Sequence, residues 1–133
     1  MKIWASLYLI VWIAFLEFVS IFANNQGWLL SVEIHALLGL IIIILAFKNH
    51  IDVSKTEAPS RIKRILKATA GLTVAQAVLG IILFINIRIV AIPFVVIIDF
   101  LMFTIALAII AQAASAATAY DMWEEKEFTQ ATK

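Results

Sequence analysis

Four apolar runs separated by short polar interruptions organise this sequence. The first covers about residues 3–23 and stops at Asn24, Asn25, Gln26 and Gly27. The second covers about 29–47 and gives way to KNHIDVSKTEAPSRIKR, the one substantial hydrophilic stretch. The third covers about 65–86, ending at Asn86 and Arg88, and the fourth about 92–118, with a charged tail over 119–133. A helix of about 20 apolar residues crosses a bilayer, so each run is long enough to span one. Lipid offers backbone N–H and C=O groups no partner but the helix itself, so the runs are predicted helical despite their Ile and Val content. Pro93 falls in the first turn of the fourth run, where a missing N–H is harmless. The expectation is one all-α integral membrane domain over 1–133. It is an up-down-up-down bundle of four transmembrane helices, with a loop at 48–64 and a tail at 119–133.

The basic residues orient that bundle. Lys48, Lys55, Arg61, Lys63, Arg64 and Lys67 flank the middle connection, whereas the first connection has none and the third only Arg88. By the positive-inside rule the middle loop is cytoplasmic, and an even number of spans puts both termini beside it. Trp4, Trp28, Tyr120 and Trp123 sit near span ends, where interfacial anchors belong. The first run follows Lys2, is long and lacks a small-residue cleavage site, so it is expected to be an uncleaved span.

Composition narrows the classes. At 64% hydrophobic and 14% charged residues, with a mean hydropathy of +1.04, the chain is a multi-pass protein of the cell membrane rather than a soluble domain. Its 133 residues leave no room for a separate soluble catalytic unit beside four spans. The absence of cysteine excludes disulfides, thiolate metal sites and covalent haem attachment. A formal charge of +1 points to no nucleic-acid partner.

The informative residues are the polar ones inside the spans: Glu17, Glu33, His35, Gln76 and Asp99. At about 1.5 Å rise per residue, Glu17 and His35 lie about 9 Å from the outer ends of their helices and Asp99 about 10 Å, with Gln76 near mid-bilayer. One shared outer-leaflet site is therefore predicted. Small and polar residues recur on the same helical stripes: Glu17, Ser20 and Asn24; His35 and Gly39; Thr73, Gln76 and Gly80; Asp99, Met102, Phe103 and Ala106. An ionisable residue within a span costs about 2.5–3.5 kcal/mol on insertion scales, so it usually faces the interior and marks a site.

Blander roles compete at several positions. Glu17 could snorkel to water, Gln76 could be hydrogen-bonding glue between helices, and Gly71 and Gly80 could be simple packing positions. His50 is expected to be a solvated loop residue, about 22 Å along the chain axis from His35 and unable to share a metal with it. Asp99 needs a partner, a ligand or a neighbouring subunit.

Two chemistries suit the cluster. A neutral imidazole in a bundle is the usual axial ligand of haem iron, with His35 the metal ligand and Met102 a conceivable second. Alternatively, a histidine and carboxylates such as Glu33 and Asp99 could handle quinol protons near the interface. Gly39 and Gln76 would line either cofactor. A non-catalytic subunit of a membrane oxidoreductase complex, or a homo-oligomer whose polar residues pair with neighbouring helices, is the competing class. The Ala-rich AQAASAATA segment suits close helix contact with either its own bundle or a partner.

The stretches EIHALLGLIIIILAF, RIKRILKATAGLTVAQAVLGIILF and VVIIDFLMFTIALAII resemble one four-helix half of the heme A synthase family. In that family the even-numbered helices carry haem-ligating histidines toward the outer face, a glutamate precedes the first of them, and the third helix has Gln followed by Gly. Glu33, His35, Gln76 and Gly80 match. Ala36 stands where the family usually has Arg, Glu33 lies two residues before the histidine instead of three, and Asp99 replaces the fourth-helix histidine. The resemblance implies haem binding at His35 in a compact, one-half member of the family.

Overall fold

The computed structural model describes residues 2–23, 32–88, 93 and 95–131 of the chain. Four helices account for nearly all of them: α1 (Ile3–Ala23), α2 (Val32–Ser54), α3 (Ser60–Arg88) and α4 (Val95–Ala131), with no strand among the described residues. The last three are long and apolar enough to cross a membrane, while the apolar stretch of α1 covers Ile3–Val19. The chain thus has the helices of a multi-pass membrane protein.

Three helices run further than the hydrophobic pattern indicates. The 48–64 stretch, expected as a loop, is helical at both ends and leaves a turn of only five residues, 55–59. Lys48 and Asp52 pair at i, i+4 across 2.6 Å, which favours continuing the helix through this polar segment. Pro59 then cannot donate, and its carbonyl instead accepts from Ile62 N (2.9 Å), opening α3. Lys63 closes the turn by donating to the Thr56 carbonyl at 2.7 Å. The 119–133 tail is likewise helical through Ala131, because no Gly or Pro follows Thr118 to stop α4. His50 is accordingly a half-buried residue of α2 and not a solvated loop residue, and Asn49 beside it is fully buried. Of the aromatic residues near the span ends, Trp4 packs edge-on against Tyr8, and Trp123 lies 5.3 Å from Tyr120 between ring centroids.

The helices form a ring. α1 packs against α2 and α4, and α3 against the same two, with no diagonal pair in contact among the described residues. Glu17 of α1 meets His35 of α2, while Thr69 meets Gln112 and Gly80 faces Met102, so α3 and α4 run in opposite directions.

Packing is uneven along this ring. Every buried side chain among the described residues lies in the half nearest the turn: residues 6–14 of α1, 42–53 of α2, 58–73 of the turn and α3, and 109–120 of α4. The contacts there are built from small groups such as Ala46, Ala70, Ala113, Ala116 and Ala117. The large residues Trp12, Leu37, Ile44, Val78 and Phe100 face outward. In lipid there is no hydrophobic force between helices, so close approach over alanines supplies the attraction through dispersion. The AQAASAATA segment therefore serves contact within its own bundle, with Ala113, Ala116 and Ala117 fully buried.

Candidate functional site

In the other half the four helices separate around a cavity of about 540 Å³, within the range of small-molecule and cofactor sites. Glu17, His35, Gly39, Gln76, Gly80 and Met102 all line it. Residues from the polar and small stripes of all four helices thus share one cavity. Apart from Thr73, the rest of its lining is apolar.

The polar groups are arranged unequally. His35 Nδ1 lies 3.7 Å from Glu17 Oε1, an ion-pair distance just beyond a hydrogen bond, with the glutamate side chain 14% exposed and the imidazole 39%. Glu17 therefore turns inward toward His35 and does not snorkel. A carboxylate that bonds one ring nitrogen fixes an imidazole's tautomer, and Glu17 would do so on closing the remaining gap to hydrogen-bond distance. Gly39, one turn after His35, lies beside the pair: a Cβ there would sit at ordinary contact distance, 3.9 Å, from Glu17 Oε1. Across the cavity, Gln76 Oε1 is buried with no hydrogen-bond partner among the described residues. An orphaned buried acceptor is costly, and a ligand hydroxyl or N–H would satisfy it. Thr73, one turn earlier on the same wall, donates to Ala70 O at 2.8 Å and so has no proton to offer Gln76.

Gly80, one turn after Gln76 on α3, faces Met102 of α4: a Cβ added there would meet Met102 Cε at ordinary contact distance, 3.9 Å. Gly80 thus borders the cavity. Gly71, the other expected packing position, is exposed, and a Cβ added there would meet nothing within 4 Å. Phe18 and Phe103, with centroids 4.9 Å apart, close the seam between α1 and α4 beside the cavity.

Glu33 and Asp99 stand apart from this group. Both are exposed and neither lines the cavity. Two residues along a helix turn the direction by about 200°, so Glu33 points nearly away from the face that carries His35. Its carboxylate sits in the first turn of α2, where the helix dipole favours negative charge. Asp99 lies one turn before Met102, where the α4 wall of the cavity begins, and shares its outward surface with Val96 and Phe100. Asn24 and Trp28 fall outside the described residues, as does the side chain of Ser20.

The hydrophobic pattern left Phe18, Leu40, Ile81 and Phe84 unremarked, although all line the cavity. Large apolar residues carry no mark of a site in a span composed mostly of such residues. Among the described residues no three His, Cys, Asp or Glu side chains come together as a non-haem metal centre requires. No family model, curated protein or solved structure matches the chain.

Proposed function

We propose that this chain is a four-span membrane protein that holds a haem or a quinone in its outer-leaflet cavity, with His35 at the centre. The middle turn and both termini would lie in the cytoplasm. The observation that carries this proposal is the convergence of Glu17, His35 and Gln76, from three different helices, on one largely apolar cavity. The likeness of Glu33, His35, Gln76 and Gly80 to one half of heme A synthase supports the same assignment.

The residues present fit either cofactor. For a haem, His35 would hold the iron, and Met102 is a further side chain on the wall able to ligate it. A haem bound there would supply one-electron chemistry. Asp99, exposed and outside the cavity, would take no part in holding it. For a quinone, His35 and Gln76 would hold the ring oxygens, and the His35–Glu17 pair would take up and release the quinol proton.

Purified protein in mild detergent tests the proposal. It is expected to show a Soret band or to bind a quinol, and His35→Ala is expected to abolish whichever is found. A colourless protein that binds no quinol and co-purifies with oxidase subunits would instead establish an accessory subunit. That second role is favoured by Asp99, a carboxylate on the outward apolar face of α4 beside Val96 and Phe100, where a neighbouring helix would cover it.

A further inference from the structure

The cavity is closed on two sides and open on a third. Its walls on α1 and α4 are buried or half-buried: Ala14 and Ile109 are buried, and Phe18, Met102 and Ala106 half-buried. Among the described residues, the exposed members of its lining belong to α2 and α3 alone. They are Ala36 and Leu40 on one side, with Ile81 and Phe84 on the other; Leu40 is 53%, Ile81 61% and Phe84 47% exposed. The mouth therefore lies between α2 and α3, on the flank of the bundle, and its rim is apolar.

In a membrane bundle that flank faces acyl chains, not water. The α2–α3 contact below the mouth is tight, with Ile42, Ala46, Ala70 and Thr73 buried, so the gap ends near mid-bilayer. At the inner end of the gap stand the polar groups Glu17, His35 and Gln76, of which Gln76 Oε1 has no donor among the described residues. A ligand that satisfies both regions has a compact head carrying a hydroxyl and a long aliphatic tail.

We infer that the cavity is loaded sideways from the bilayer through the gap between α2 and α3, and that its ligand is a tailed quinol whose chain remains in that gap. The inference rests on the cofactor site proposed above and names the ligand class for it. The head hydroxyl donates to Gln76 Oε1 and the ring reaches His35. The tail runs out between Leu40 and Ile81.

The test compares decylubiquinol with its tail-less parent quinol on the full chain in lipid nanodiscs. The tailed quinol is expected to bind about tenfold more tightly or better, equivalent to about 1.4 kcal/mol. Leu40→Trp and Ile81→Trp, on opposite sides of the gap, are expected to remove that advantage, bringing the affinities of the two quinols to within about twofold of each other. Ile44→Trp, equally exposed on α2 but outside the lining, is expected to change neither. Equal affinity of the unmodified protein for the two quinols, or a tailed-quinol advantage that persists in the gap variants, overturns sideways loading. If the parent still binds in a His35-dependent way, the cofactor site survives that failure. Binding of neither quinol by the unmodified protein overturns the ligand class as well as the route.

Discussion

At the scale of single residues, Gly39 shows how much side chain the site can take beside the Glu17–His35 pair. Alanine at this position would only touch Glu17 Oε1 at ordinary van der Waals distance, so Gly39→Ala is expected to retain ligand binding. Leucine would extend into the cavity and displace either the carboxylate or the ligand. Gly39→Leu is therefore expected to weaken binding by about tenfold or more, about 1.4 kcal/mol. Folding stability should stay within about 1 kcal/mol of the parent protein, since the residue borders space and not packed core. Titration of ligand binding alongside detergent unfolding separates the two effects.

At the scale of helices, α3 and α4 are joined by a polar contact in an otherwise alanine-rich seam. Thr69 Oγ1 lies 2.9 Å from Ile65 O and 3.0 Å from Gln112 Oε1. One hydroxyl hydrogen cannot serve both acceptors, so the pair is satisfied when Thr69 donates to one and the Gln112 amide, turned about its terminal bond, donates to the threonine oxygen. Hydrogen bonds between membrane helices average about 0.6 kcal/mol and reach about 1.7, because the separated helices also find partners. A double-mutant cycle of Thr69→Val and Gln112→Leu, read by unfolding in mixed detergent, is expected to give a coupling energy in that range. Since the pair sits below the cavity, neither variant should alter the ligand's affinity.

At the scale of the whole molecule, a closed half and an open half share one bundle. The half nearest the 55–59 turn is held by alanine contacts, while the other half has no fully buried side chain among the described residues and surrounds the cavity. Orientation in the membrane can be tested cleanly because the chain has no cysteine. Glu57→Cys, in the turn, is expected to react with a membrane-impermeant maleimide only when the cytoplasmic face is exposed. Gln26→Cys, in the first connection, is expected to react from outside intact cells. The reverse pattern would put the cavity in the inner leaflet.

Much of this was written in the linear pattern of residues. Apolar runs longer than the bilayer is thick can satisfy their backbone only as helices, so the four helices follow from hydropathy alone. The stripes of polar and small residues also marked Glu17, His35, Gln76, Gly80 and Met102 as neighbours, because helical periodicity determines which residues share a face. The same pattern understated α2, α3 and α4, since a helix does not end where its apolar residues do: Lys48–Asp52 pairing carries α2 through a hydrophilic segment. What only the tertiary structure decided is how the helices diverge. Periodicity gives a direction around one axis and carries no information on the spacing between axes. That spacing leaves Asp99 outside the cavity, buries Asn49 in the core and opens the flank between Leu40 and Ile81, whereas periodicity alone already turns Glu33 away from His35.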